Sequence, residues 1–361
     1  MNYEQFLEQM KEDLKARFTT DLPPEYADVR IGIRYVEKLQ GESYRGLSFR
    51  SGDSPVEANL NMTGAFQAYE AGRPYEDILE EVEAQLMKVV DRTPQFNIGE
   101  LMDYEAMKPK LMMEIIPQKG NGDRLENIPH QKVEDMALIY RLDMGDSAGG
   151  KMTSVITNQQ LNAFGITAEQ LHQDALENAP ITHPASLRSM QEVMAEMMGM
   201  EPEDVMSGEP TMLVATVEGS FMGASVIQYP GFMEQAAEKI GGDFFVLPSS
   251  IHEVLLIPDD GRQDFHELAA MVQTINETQV APEERLSDNV YHYDKADRVF
   301  ELADKTASRK LAQEMEKKAA ARAGAEKKPS VLEQLGEKKK EAMDHAPKAK
   351  APGRMAPEAA L

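Results

Sequence analysis

The chain has 361 residues, 62 of them acidic and 38 Lys or Arg, for a net charge of −24, and it contains no cysteine and no tryptophan. That length accommodates about two domains of ~100 to 200 residues with a core that needs no covalent staple, and the lack of cysteine excludes disulfides, thiolate zinc sites and cysteine nucleophiles. An acidic body repels phosphate backbones, and no run reaches the ~18 to 20 apolar residues of a membrane span.

The opening residues, MNYEQFLEQMKEDLKARF, place Phe6, Met10, Leu14 and Phe18 at intervals of four. This is an amphipathic helix carrying acids and not a signal peptide, so a cytoplasmic protein is expected. Pro23 and Pro24 end the helix. Next, Val29, Ile31, Ile33 and Tyr35 alternate with Arg30, Gly32 and Arg34, which predicts a strand hairpinned to a partner over Tyr44–Phe49. Arg30 and Arg34, with Arg50, share the exposed face, either as a solvated strand surface or as a binding patch for an anion or partner. After Pro74, the stripe Tyr75, Ile78, Leu79, Val82, Leu86, Val89 and Val90 predicts a helix whose other side is Glu76, Asp77, Glu80, Glu81 and Glu83. Residues 1–95 thus read as a small N-terminal α+β domain, with a boundary between Asp91 and Gly99.

Residues 96–303 read as the main α+β domain. Its first strand is Leu111–Ile116, followed by a polar loop over Gln118–Gln131 and a hairpin of Met136–Leu142 with Met152–Thr157. Thr167 and Gln170 form a capping-box pair, and Ile166 is placed to staple onto Leu171. Pro180 and Pro184 interrupt that helix. Beyond them Met190, Val193, Met194, Met197 and Met198 fall on one side of a helix. A methionine face can serve as an adaptable docking groove, but with 24 Met spread along the chain core filling is the preferred reading.

The densest apolar stretch, Thr211–Asp260, is expected to centre the fold. Four short runs, Met212–Val217, Met222–Ile227, Phe244–Leu247 and Val254–Ile257, read as strands covered on both faces. Between the second and third, Phe232, Ala236, Ala237 and Ile240 predict a helix that Gly241 and Gly242 end. Asp264 with Glu267 opens a further helix bearing Phe265, Leu268, Ala269, Val272 and Ile275.

Residues 304–361 change character. From Lys305 onward 14 Lys and Arg stand against 8 Asp and Glu, leaving 24 against 54 for residues 1–304. A solvated helix over Lys305–Ala323 and then a disordered Lys/Ala/Pro-rich tail are expected. Within the tail, the apolar patch Pro329–Leu335 is either an island in a linker or a docking segment for a protein partner. Nucleic-acid binding is not expected of this protein except through the tail.

Motifs that carry chemistry fail one by one. Gly145–Met152, GDSAGGKM, matches a phosphate-binding loop until Met152 stands where a Ser or Thr must hold magnesium, and it leads into a strand; it is assigned to a Gly-rich hairpin turn. His252-Glu253 and His266-Glu267 begin a zinc-protease pattern that Leu256 and Ala270 break, and no complete Gly-x-Ser-x-Gly elbow occurs. What remains is Ser249, Ser250, His252 and Glu253 in LPSSIHEV, with Asp288 and Tyr291 as added members if the last strand lies alongside. If His252 and Glu253 sit in a strand they face opposite ways, so they can cooperate only from a loop.

In ITNQQLNAFGIT, YPGFMEQAAEKIGGDFFVLPSSIHEVLLIPDDG and TQVAPEERLSDNVYHYD, the chain resembles an uncharacterised bacterial family, common in gut anaerobes and often encoded near conjugative or other mobile elements. The resemblance covers about residues 1–300 and implies no activity, cofactor or catalytic residue. The expected protein is α+β, a mainly antiparallel sheet with packed helices, a small N-terminal α+β unit and a disordered basic tail, without cofactor or metal. The expected function is that of a non-catalytic cytoplasmic interaction or accessory protein. The alternative is a hydrolase with His252 as general base or metal ligand, assisted by Glu253, Asp288 or Tyr291, and with Ser249 and Ser250 as binding groups.

Overall fold

The stripe Phe6, Met10, Leu14 and Phe18 is withdrawn from solvent in the computed structural model, which describes residues 1–20, 28–36, 43–52, 57–92, 98–147, 150–205, 212–248, 250–326 and 331–344. Helix Tyr3–Thr20 packs this stripe and Leu7 against a sheet of β1 (Val29–Val36), β2 (Tyr44–Ser51) and β3 (Ala58–Leu60), in that order. The predicted helix is Tyr75–Arg92, and it adds Ile78, Leu79, Val82 and Leu86 to the same core. Each fully buried Leu or Phe there contributes about 1.5–3 kcal/mol. Gly46 lets β3 close on β2, since a Cβ at that position would stand 2.2 Å from the Leu60 carbonyl oxygen. Pro23, Pro24 and the boundary expected after residue 95 lie outside the described residues.

The second sheet holds β4 (Leu111–Pro117), β5 (His130–Val133), β6 (Met136–Ser147) and β7 (Gly150–Val155), with β6 pairing all three others. The expected hairpin is present and longer than its apolar pattern. β5, which begins at the end of the expected polar loop, carries too few apolar residues to be read as a strand. Alternation sends Leu111, Met113, Ile115, Leu138, Tyr140 and Leu142 into the main core, while Ile116, Ala137 and Ile139 form a smaller one with Leu125 and Ile128.

The third sheet runs β13-β12-β10-β11-β9-β8, built from β8 (Ala185–Ser189), β9 (Leu213–Val217), β10 (Phe244–Pro248), β11 (Val254–Pro258), β12 (Tyr291–Asp294) and β13 (Val299–Leu302). Both faces are covered. Leu213, Ala215, Val217, Phe244, Val246, Val254 and Leu256 face the main core, and Phe245, Leu247 and Ile257 meet Val272 of helix Phe265–Thr278. Every strand pairing among the described residues is antiparallel, so the fold is α+β with packed helices.

Three expectations are corrected. Met222–Ile227 is not a strand: Gly223–Gln228 forms a 3₁₀ turn, entered through Met222 in the left-handed region (φ 57°). Gly223 presses so close to β9 that a Cβ would sit 2.1 Å from Thr216 Oγ1 and 2.6 Å from the His252 carbonyl oxygen. A short apolar run does not distinguish such a buried turn from a buried strand. Pro180 lies inside helix Ala168–Thr182, which continues to Thr182, so it does not interrupt. The methionine helix, Met190–Met198, does not fill the core: it buries Ala195, while Met194, Met197 and Met198 are exposed.

Helix Met190–Met198 is held at its start by a reciprocal cap. Ser189 Oγ accepts from Glu192 N at 3.1 Å, and Glu192 Oε2 accepts from Ser189 N at 2.6 Å. Ser189→Ala is therefore expected to cost about 1 kcal/mol, read as a lower urea midpoint by circular dichroism; an unchanged midpoint would remove the cap from the stability of this region.

Met1–Thr306 forms one compact unit and Ala307–Leu361 another. In the stretch whose composition reads as a disordered tail, Val331–Asp344 is helical, and residues 345–361 lie outside the described residues. No described helix is long and apolar enough to cross a membrane.

Candidate functional site

β5 and β6 are joined by a two-residue turn, because Val133 pairs with Met136 and leaves Glu134 and Asp135 between them. Glu134 takes a left-handed backbone (φ 57°). The turn is clamped by Gln118, whose backbone N–H donates to the Asp135 carbonyl at 3.0 Å and whose Nε2 donates to the carbonyls of Glu134 and Met136. So held, the Asp135 carboxylate accepts three hydrogen bonds from the segment leading into β12. Tyr291 OH donates to Oδ1 at 2.5 Å, Ser287 Oγ to Oδ2 at 2.8 Å, and Asn289 Nδ2 to Oδ2 at 3.0 Å. Burial and then the Asp135 charge push the Tyr291 hydroxyl well above the ordinary phenol range, which keeps it a donor.

Beside this junction opens a cleft of about 1310 Å³. Its walls come from the loop around Gln118–Arg124, the end of helix Phe265–Thr278 and residues 282–289, with Tyr35 and Ser43 at one side. In the wall Asn276, 1% exposed, donates through Nδ2 to the Ser287 carbonyl at 2.9 Å and to Asp288 Oδ1 at 2.8 Å. Two acceptors on Nδ2 fix the amide orientation, and Asn276 Oδ1 is buried with no hydrogen-bond partner among the described residues. Lys119, Arg124 and Arg285 share the lining with Asp123, Glu277 and Asp288, so the cleft carries both signs of charge.

The residues expected to act together are divided. Asp288 lines the cleft, and the Tyr291 ring is fully buried with its hydroxyl on Asp135. His252 and Glu253 precede β11 in a loop, and among the described residues no hydrogen bond or ion pair joins their side chains to those two. The His252 imidazole accepts from Met222 N through Nδ1 at 3.1 Å, a contact that caps the 3₁₀ turn, and its Nε2 lies 3.6 Å from Glu284 Oε1. Glu253 contributes its carbonyl to Ser250 N, and Ser250 Oγ accepts from His252 N at 3.0 Å. Ser249 lies outside the described residues. Arg34 Nε is 2.8 Å from Glu57, and Arg30 stands across from Arg50 in the β1–β2 register. Among the described residues no three His, Asp or Glu converge as a metal site.

Another polar group forms where the Gly-rich hairpin meets helix Ala168–Thr182. Lys151 Nζ lies 3.1 Å from both Asp143 Oδ2 and His183 Nε2, so the lysine of the apparent phosphate loop is paired with side chains of its own chain. His183 Nε2 is 3.2 Å from Asp143 Oδ2 and its Nδ1 is 3.0 Å from Thr182 Oγ1. This is the order of a hydroxyl–imidazole–carboxylate relay. Yet His183 is 5% exposed, Lys151 competes for Nε2, and the Thr182 hydroxyl also faces the Asn178 carbonyl at 3.2 Å. Burial and then Lys151 hold this imidazole below its ordinary pKa. The group acts as a brace between hairpin and helix.

Sequence reasoning missed Asp135, Asn276, Ser287 and Asn289. The signal available for Asp135 was a Glu-Asp pair between the polar stretch HQKV and the apolar run from Met136, without the glycine that usually marks such turns.

The model of a family of unknown function, DUF5688, matches residues 3–295. No curated protein and no solved structure matches the chain.

Proposed function

The chain belongs to the DUF5688 family of unknown function, and we propose that it is a non-catalytic cytoplasmic interaction protein whose folded body receives a peptide segment of a partner in the cleft beside Asp135. The observation that carries this reading is the cleft itself, about 1310 Å³ and lined by side chains of both charges. Size favours a peptide over a small metabolite, since about 1310 Å³ exceeds the ~300–1,000 Å³ of ordinary small-molecule pockets. The mixed charges of the lining suit a chain that carries both signs.

A hydrolase built on His252 would need Glu253, Asp288 or Tyr291 within its reach; Asp288 and Tyr291 are engaged by Asn276 and Asp135, and Glu253 follows His252 in the loop with its carbonyl on Ser250 N. The resemblance to proteins encoded near mobile elements supports an accessory role for such an element. The patch Pro329–Leu335 would act as a second tether to a protein partner, and any nucleic-acid contact would belong to the Lys-rich tail.

Gly122 offers a test, because it lines the cleft with open space at its Cβ and a backbone any residue adopts. Gly122→Trp should fill the cleft and leave the thermal midpoint unchanged. Peptides selected from a displayed library on the full chain should lose at least about tenfold in affinity for this variant, equivalent to about 1.4 kcal/mol. If no peptide is enriched, or the enriched ones bind Gly122→Trp equally well, the cleft is not the binding site.

A further inference from the structure

We propose that the exposed methionines at the end of helix Met190–Met198, with Met200 just beyond it, receive a basic amphipathic helix of a partner protein. The surface is separate from the cleft and does not depend on it. Four of the thirteen exposed large apolar side chains among the described residues fall within Met194–Met200. Met194 is 36% exposed, Met197 83%, Met198 57% and Met200 45%. Single exposed apolar side chains are ordinary, whereas a contiguous group is the mark of an interaction surface.

The helix that displays them is fixed at its beginning and along one side. The Ser189–Glu192 cap holds the first turn, Ala195 is buried, and Arg188 pairs with Glu196. At 100° per residue Met194, Met197 and Met198 span an arc of about 100° on another side, so they form one face. Unbranched thioether side chains fit apolar knobs of varied shape, which suits a helix that inserts residues at i, i+3 or i+4 and i+7.

Charge selects the partner. The methionines cluster at the C-terminal end of their helix, the negative end of its dipole. The chain then continues through the exposed Glu201 and Asp204. Glu192 and Glu196 are occupied in the cap and the Arg188 pair, but residues 1–304 as a whole hold 54 acidic against 24 basic side chains. A Lys- or Arg-rich helix is drawn to such a surface. The equally acidic body of a second copy is repelled by it.

The test uses the full chain with ¹³C-methyl methionine and two synthetic probes, a Leu/Lys amphipathic helix and a Leu/Glu helix of the same pattern. The Leu/Lys probe should shift the methyl signals of Met194, Met197, Met198 and Met200, and added salt should weaken the effect. The combined substitution Met194→Gln, Met197→Gln, Met198→Gln and Met200→Gln leaves the charge unchanged and alters only exposed side chains. It should lose at least about tenfold in affinity without change in the thermal midpoint. Equal binding by the Gln variant would show that net charge alone attracts the probe and would overturn the proposal. So would equal binding of the Leu/Glu probe, or shifts confined to other methionines. Sedimentation showing self-association that the Gln variant abolishes would also overturn it, assigning the face to a second copy.

Discussion

Replacing Asp135 by alanine is expected to lower stability by about 3 kcal/mol, because one carboxylate holds the β5–β6 turn to the segment entering β12. Hydrogen bonds to a charged acceptor contribute about 1.5–3 kcal/mol each, but three that share one group do not add in full. Ser287 and Asn289 border the cleft and can turn to water. The Tyr291 hydroxyl has no such escape, since its side chain is 0% exposed and its donor would be left buried and unpaired. Asp135→Asn keeps an acceptor in the same place and should cost about half as much. Tyr291→Phe removes the demand together with the bond and should cost about 1 kcal/mol. In the double variant Asp135→Ala/Tyr291→Phe the losses should sum to less than the single effects, which is the signature of a shared bond. Urea denaturation followed by circular dichroism measures each. If Asp135→Ala lies within about 0.5 kcal/mol of the parent, as an ordinary surface substitution does, the junction does not stabilise the fold.

A larger effect is expected at Arg141. Glu114 on β4 and Arg141 on β6 face the smaller core of Ile116, Ile139, Leu125 and Ile128, with Nη1 3.1 Å from Oε2 and Arg141 Nε donating to Thr153 Oγ1 at 3.0 Å. Burial pushes the Glu114 carboxyl above its ordinary range, and the guanidinium pulls the other way. Arg141→Met keeps the aliphatic stem and removes the charge, leaving a buried carboxyl with nothing to oppose burial; the expected cost near neutral pH is about 3–5 kcal/mol.

The pH dependence has a definite sign. A carboxyl raised in the folded state retains a proton that the unfolded chain releases at about 4.3. Its contribution is therefore complete below that value and is lost as pH rises through the folded pKa. The gap between Arg141→Met and the parent should be smallest in acid and widen toward neutrality. Glu114→Met/Arg141→Met, which removes both charges, should recover most of the loss. A gap that does not change with pH would mean that the arginine supports the fold by packing and not by charge.

Glu114 also shows where the sequence stops being informative. In LMMEIIP, the glutamate is one polar residue in an apolar run. Its burial follows from strand alternation, but its partner lies 27 residues away on another strand. The cleft is the same case on a longer scale: Ser287 reaches Asp135 across 152 residues and Tyr291 across 156. Asp288 and Tyr291 stand out in the sequence as candidates near the last strand, and what they contact depends on the pairing of β12 to β10. His252 draws notice as a histidine beside two serines, and its ring caps the 3₁₀ turn through Met222 N.

Local pattern determined the parts whose cause is local. The helix Tyr75–Arg92 follows from its apolar stripe, the hairpin of β6 and β7 from two apolar runs around a Gly-rich turn, and the end of helix Phe232–Ile240 from Gly241 in the left-handed region (φ 92°). The failed phosphate loop was also legible, because Met152 cannot supply the hydroxyl that magnesium needs. Tertiary structure alone decided which apolar surfaces found a partner. Gly223–Gln228 became a turn because the end of β9 leaves room only for a glycine against Thr216, and Met194, Met197 and Met198 stayed exposed although their spacing equals that of a core helix. Periodicity fixes which side chains share a face, whereas burial of that face depends on a complementary surface arriving from elsewhere in the chain.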